Sequence, residues 1–162
     1  MNISFNADEI MEMAVRIEKN GKSFYLHAAE IESDEKMVSF FKKLAAMEEQ
    51  HIKIFEQFRE DLSGIEKESY TYDPDEQASM YLKVMADAHG GEGNPEITKT
   101  LTGKESIKEI LNIALALEKQ SILFYIGLVD FISHKHGKDK VNAVIQEEKK
   151  HVAQLGDILN SI

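Results

Sequence analysis

The chain has no cysteine. That excludes disulfides, thiolate zinc sites, cysteine-ligated iron–sulfur clusters and a cysteine nucleophile together. Only two prolines occur, Pro74 and Pro95, and both fall in the middle third. No run of Lys or Arg could track a phosphate backbone, and a formal net charge of −10 points away from nucleic acid as a partner. No stretch approaches the ~20 apolar residues needed to span a bilayer, so no membrane association is expected. The N-terminus, MNISFNADEI, has neither the basic start nor the apolar run of a signal peptide. Taken with the missing cysteine, this favours the cytoplasm. What is present is 162 residues, 43% apolar and 30% charged, the composition of one globular domain over residues 1–162 that can bury a real core.

The outer thirds show 3.6-residue apolar periodicity and read as four long helices. Asn6 with Glu9 is a capping pair for the first, over about 7–32. Ser33 or Asp34 can cap the second, over about 34–61. Thr102 with Glu105 fits a capping box for the third, over about 104–134. The fourth takes about 138–160. The crossover, residues 62–103, is too long for a structureless loop. Asp73-Pro74-Asp75-Glu76 supplies a helix start there. Ala78, Tyr81, Met85 and Ala88 follow at helical spacing, and Gly90-Gly91 stops the run. A short extra helix on the crossover is expected. A helix of about 27 residues is roughly 40 Å long, which the crossover can span to join two hairpins.

The chain repeats itself at an offset of 100 residues. Ile17-Glu18-Lys19 matches Leu117-Glu118-Lys119, Phe24-Tyr25 matches Phe124-Tyr125, and Glu48-x-x-His51 matches Glu148-x-x-His151. In each half the lone Glu precedes the Glu-x-x-His by 30 residues. Two copies of one hairpin, packed about a pseudo-twofold axis, would bring the two half-sites together.

These polar residues fall on the apolar faces. Val141, Val144, Leu155, Ile158 and Ile162 form a 3,4-spaced stripe completed by Glu148 and His151. Met37, Phe40, Leu44, Ile54 and Phe58 run through His51, with Glu48 one turn before it. Met11, Ala14, Gly21, Tyr25 and Ala28 flank Glu18; Leu111, Ala114, Ser121, Tyr125 and Leu128 flank Glu118. Four carboxylates in one core would repel one another and lose their hydration. Two divalent cations cancel four carboxylate charges while both imidazoles stay neutral. Carboxylate and imidazole without thiolate suit iron or manganese, with zinc as a substitute. His134 and His136 suit the C-terminus of the third long helix, and His27 and His89 show no partner pattern. All four stay outside the site.

On Glu18 with Tyr25, Glu48-x-x-His51, Glu118 with Tyr125 and Glu148-x-x-His151, the sequence resembles the rubrerythrin branch of the ferritin-like di-iron carboxylate proteins. The resemblance covers about residues 7–61 and 104–160. It implies an all-α, ferritin-like four-helix bundle holding two iron ions per chain. Glu48 and Glu148 would bridge the ions, Glu18 and Glu118 would bind one each, and His51 and His151 would complete one apiece. Tyr25 and Tyr125 would be hydrogen-bond partners of the carboxylates. The activity implied is reduction of hydrogen peroxide or oxygen by a homodimer fed by an external electron donor. Two departures stand out. Rubrerythrins typically carry a cysteine-ligated iron domain, absent here. They also typically have a further Glu three residues after the first on the third long helix, where this chain has Ser121, with Gly21 as its repeat mate. The remaining six-ligand set is equally similar to a bacterioferritin ferroxidase centre. Iron handling, or a metal-stabilised bundle without turnover, therefore stand beside the oxidoreductase.

Overall fold

A computed structural model describes residues 6–62, 64, 77–88, 101–130, 132 and 137–162, with backbone alone for 86–88. Helix α1 spans Ala7–Ile31 and opens on the expected capping box: Asn6 Oδ1 accepts from the Glu9 amide, and Glu9 Oε2 accepts from the Asn6 amide, both at 2.9 Å. Of the two candidate caps for α2, Glu35–Asp61, it is Asp34 whose carboxylate accepts from the Met37 amide. Three more helices follow among the described residues: α3, Gln77–Ala88, α4, Ile107–Val129, and α5, Lys138–Ser161.

Helix α4 departs from expectation at both ends. Its capping box is Ser106 with Glu109, one turn later than Thr102 with Glu105. The Thr102 and Gly103 amides do donate to Glu105, but Gly103 has φ +81. That left-handed backbone cannot continue into a right-handed helix, so the first box closes a turn. At the far end α4 stops at Val129, well short of 134. The Asp130 amide bonds back to the Gly127 carbonyl and the Ile132 amide to that of Val129, the i→i+3 pattern of a terminating turn. Gly137, at φ +100, then opens α5, and the Phe58 ring sits where a Cβ at Gly137 would lie.

Helices α1 and α2 form one antiparallel hairpin and α4 and α5 the other. Across the bundle α1 meets α4 and α2 meets α5, while α3 lies on α4 and touches α1. Helix α3 reaches that seat because residue 127 is glycine: a Cβ there would overlap the Tyr81 ring. Tyr81 itself stays partly exposed and donates its hydroxyl to the Leu123 carbonyl at 2.6 Å. Leu82, one position on, is fully buried, as is Ser79 one turn earlier. The expected start at 73–76, the stop at Gly90-Gly91, and His89, His134 and His136 lie outside the described residues.

Burial follows the 100-residue repeat closely. Met11 and Leu111, Ala14 and Ala114, Ala28 and Leu128, Phe41 and Val141, Leu44 and Val144 are all buried pairs. Two residues of α2 carry more than the expected stripe gave them. Phe41 and Phe55 are fully buried, whereas Phe40 and Ile54 are only half-buried, and Ile162 at the chain end is exposed. The apolar core divides into two clusters. One contains Phe55, Phe58, Tyr125, Leu128, Val141 and Val144, the other Tyr25, Phe41, Leu44, Leu111, Ala114 and Leu155. One correction concerns α4, which is long and apolar enough by length and composition to cross a membrane, contrary to the sequence reading. In this fold its inner face carries Glu118 into the bundle, while Leu123 and Ile126 remain about half exposed on its outer face.

Candidate metal centre

Glu18 on α1, Glu48 and His51 on α2, Glu118 on α4, and Glu148 and His151 on α5 all converge, and none is more than 5% exposed. The two Glu-x-x-His pairs lie one turn apart on their helices, so both side chains of each pair project from one face. Two overlapping groups result. Glu18, Glu48, His51 and Glu148 bring ligand atoms within 4.8 Å of one another, and so do Glu48, Glu118, Glu148 and His151. Glu48 and Glu148 belong to both groups, the positions from which a carboxylate can bridge two cations.

The contacts run both within each half and between the halves. His51 Nδ1 lies 3.2 Å from Glu18 Oε2 and 2.9 Å from Glu148 Oε1. His151 Nδ1 lies 2.9 Å from Glu148 Oε2 and 3.6 Å from Glu118 Oε1. The two rings stack at 6.1 Å between centroids. The sequence placed each tyrosine on the face of its own glutamate, but each bonds the glutamate of the other hairpin. Tyr25 Oη donates to Glu118 and Tyr125 Oη donates to Glu18. Each phenol is held by a phenylalanine of α2, Tyr25 stacking on Phe41 and Tyr125 on Phe55.

Glycine at position 21 makes room for one bridging carboxylate. A Cβ there would stand 3.0 Å from Glu48 Oε2, tighter than carbon–oxygen packing normally allows. Its repeat mate Ser121 turns its hydroxyl back onto the Leu117 carbonyl at 3.2 Å, and neither side chain can offer a seventh carboxylate.

The charges are finely opposed. Burial works against ionising Glu18, but its hydrogen bonds with His51, Glu48 and Tyr125 hold its carboxyl below the ordinary 4.5. Glu148 is also held low: burial and the Glu18 charge push it up, and the imidazoles of His151 and His51 outweigh them. Glu48 has no such support, and burial with the charges of Glu18 and Glu148 pushes it well above the carboxylate range. Glu118 is pushed up to about 7 by burial and the Glu148 charge. Burial disfavours charged imidazoles, yet the carboxylates raise His51 to about 11 and His151 to about 9. Burial and the facing glutamates keep both phenols protonated.

A divalent pair fits this donor set. Glu48 Oε1 and Glu148 Oε1 are both buried and take part in no hydrogen bond among the described residues, although His51 Nδ1 stands 2.9 Å from the latter. Buried carboxylate oxygens with unused lone pairs are costly unless a cation takes them, and these belong to the two shared glutamates. A family model described as Rubrerythrin matches residues 9–159. The chain belongs to the rubrerythrin family. Among solved structures, this rubrerythrin fold is similar to that of a Thermotoga maritima protein provisionally described as a ferritin-like diiron-carboxylate protein. The TM-score is 0.73 at 24% identity, over 99% of this chain and 98% of that one. A search of curated proteins finds no match. The chain is thus an all-α bundle of the rubrerythrin family with a ferritin-like fold, and it carries a buried cluster of carboxylates and imidazoles able to hold metal.

Two neighbours of the cluster escaped the sequence reading. Glu147 Oε2 meets His51 Nε2 at 2.9 Å, and Met47 Sδ meets His151 Nε2 at 3.3 Å. Each stands next to a candidate ligand, where helical geometry normally turns a side chain off the face. His27, which showed no partner pattern, places Nε2 3.1 Å from the Leu101 carbonyl and so ties α1 to the segment entering α4.

Proposed function

We propose that this rubrerythrin is a di-iron carboxylate oxidoreductase that reduces hydrogen peroxide or oxygen. Glu18, Glu48, His51 and Glu148 would hold one iron, and Glu48, Glu118, Glu148 and His151 the other. The observation that carries the reading is the overlap of these two groups at Glu48 and Glu148, each with a carboxylate oxygen left over. Oxygen and imidazole ligands without thiolate favour iron, with manganese or zinc as substitutes. Iron bound there would supply the electrons for reducing the oxidant, chemistry that no side chain of this chain can perform. The chain's own part is positioning and exclusion of water. Apolar clusters flank the polar layer, and Tyr25 and Tyr125 keep their protons while fixing Glu118 and Glu18. A chain without cysteine has no thiolate-bound iron of its own, so an external donor would restore the centre. A homodimer in the cytoplasm is part of the same proposal.

The test is anaerobic loading with Fe(II), then addition of peroxide or oxygen while near-ultraviolet absorbance is followed. Two irons per chain, oxidant consumed in proportion, and recovery on adding a reductant would support the reading. Bound iron that neither oxidant changes would reduce the site to a metal-stabilised bundle. A second reading, ferroxidation for iron handling, is favoured by the small residues Gly21 and Ser121, which leave the ligand set at six. Storage of that kind needs a closed multi-subunit shell, so a solution mass many times that of the chain would support it over the homodimer.

A further inference from the structure

The six candidate ligands obey the 100-residue repeat, but the groups behind the two histidines do not. On each ring Nδ1 faces the carboxylates and Nε2 turns outward. Behind His51 that outward nitrogen meets the Glu147 carboxylate at 2.9 Å. Behind His151 it meets the Met47 thioether at 3.3 Å. Glu147 and Met47 are themselves repeat mates, so one structural position carries a charged acceptor in one half and a weak, neutral one in the other.

The difference matters for metal binding. An Nε2–H that donates to a carboxylate fixes Nδ1 as the lone-pair nitrogen, locks the rotation of the ring and makes Nδ1 a stronger donor. A thioether accepts only weakly, so the His151 ring gains little of this. Other features of the two rings are alike: both are buried, and they stack on one another at 27°. Glu147 touches no other candidate ligand in the contacts described, and its side chain is 43% exposed. It therefore acts through His51, as a positioning residue.

We propose that Glu147 makes the position bounded by Glu18, Glu48, His51 and Glu148 the tighter of two divalent-cation sites. Met47 leaves the position bounded by Glu48, Glu118, Glu148 and His151 the looser one, filled last and emptied first. This rests on the metal-centre reading above and adds an order of filling to it.

The test is anaerobic titration of the full chain with cobalt(II), read by calorimetry and by the visible absorption of the ion. Wild type should bind two ions in two steps. Glu147→Ala should weaken the first step about tenfold, the lower end of what outer hydrogen-bond partners of ligands contribute. Met47→Glu should tighten the second step and leave the first in place. Glu49→Gln, whose carboxylate pairs with Lys22 and Lys53, removes a nearby charge as a control and should change neither. In proton NMR of the cobalt-loaded protein, the shifted His51 Nε2–H should exchange slowly with water in wild type and rapidly in Glu147→Ala. A purely structural role for Glu147 would not move that signal. A first step unchanged in Glu147→Ala would overturn the proposal while leaving the metal centre standing. Wild-type protein with intact helical circular dichroism that binds no cobalt would instead bring down the metal-centre reading and this proposal with it.

Discussion

Changing Gly21 to Ala should move stability and metal affinity in opposite directions. Gly21 lies inside α1, where alanine is favoured over glycine by about 0.8–1 kcal/mol. The added Cβ would stand 3.0 Å from Glu48 Oε2, 3.4 Å from Cδ and 3.7 Å from Cγ. Only the first contact is too close, and it involves the far end of a flexible side chain. Shifting that carboxylate by a few tenths of an ångström relieves it. For the chelator-treated protein the helix term should win, raising Tm by about 2–4 °C. For the metal-loaded protein the same shift falls on a shared ligand, where distances tolerate only about ±0.2 Å. A loss of about tenfold in affinity is expected, or about 1.4 kcal/mol. Ser121→Ala is the matched control, because residue 121 already carries a Cβ and its hydroxyl turns back onto the Leu117 carbonyl. Metal binding should survive that change. Thermal melts with and without chelator, beside cobalt titrations, give both quantities. Gly21→Ala binding two ions with wild-type affinity would refute the close approach of Glu48 as the reason for glycine here.

Three further outcomes are expected. Glu48→Ala or Glu148→Ala should weaken both ions, because each carboxylate belongs to both ligand groups, whereas His51→Ala or His151→Ala should weaken one; metal analysis finding two ions in the Glu48→Ala, Glu148→Ala double variant would end the assignment. Tyr125→Phe removes the hydroxyl that donates to Glu18 and should lower stability by about 1.5–3 kcal/mol, the range for a hydrogen bond to a charged group. Urea denaturation of the chelator-treated variant measures it, and an unchanged midpoint would count against the cross-hairpin bond. The third outcome is a pH dependence of the chelator-treated protein. Glu118, raised from 4.5 to about 7, and His151 and His51, raised from 6.5 to about 9 and about 11, hold protons more tightly when folded. Each contributes stability that is full below its ordinary value and is lost as pH rises through its folded value. Glu18 and Glu148 are lowered, so their contribution is present above 4.5 and is lost only in acid. Tm should therefore fall steadily from about pH 5 to pH 10, and melts showing a rise between pH 6 and 9 would contradict the proton placement.

Much of this architecture was legible in the sequence because the signals are local. Asn6 with Glu9 and Asp34 cap through contacts three residues away, and the two prolines keep clear of the long helices. The six-residue cluster was legible for a different reason: a repeat at a fixed offset puts matching polar residues at matching depths. Local signals failed where two of them competed. Thr102 with Glu105 and Ser106 with Glu109 are capping boxes one turn apart, and only the backbone at Gly103 decides between them. The sequence also could not say what lies opposite a face. It put Tyr125 on the side of Glu118, but the hydroxyl reaches Glu18 on another helix. Nothing in the sequence singles out Glu147, and only the packing of α2 against α5 brings His51 to it.

The crossed tyrosines bear on why the repeat folds as one body. Glu18 receives hydrogen bonds from Tyr125, in the other hairpin, and from His51, in its own. Glu118 has Tyr25 from the other hairpin and His151 from its own. A hairpin docked wrongly would bury each carboxylate with one donor missing, at a cost of about 1–3 kcal/mol or more for each charged group. The polar layer therefore specifies the pairing of two similar hairpins more sharply than the two apolar clusters can, since those would accept several registers of Leu, Ala and Phe. Charge reinforces this. Below about pH 7, protons on His51, His151, Glu48 and Glu118 balance the carboxylates of Glu18 and Glu148, and two divalent ions would balance four carboxylates with both imidazoles neutral. Either way the layer stays near neutrality, and loading the centre becomes an exchange of protons for metal within a fixed frame. A fold that must hold that frame through the exchange needs its carboxylates anchored by groups that do not titrate with them. The two phenols, raised well above 10, supply that anchor at every pH the metal chemistry can use.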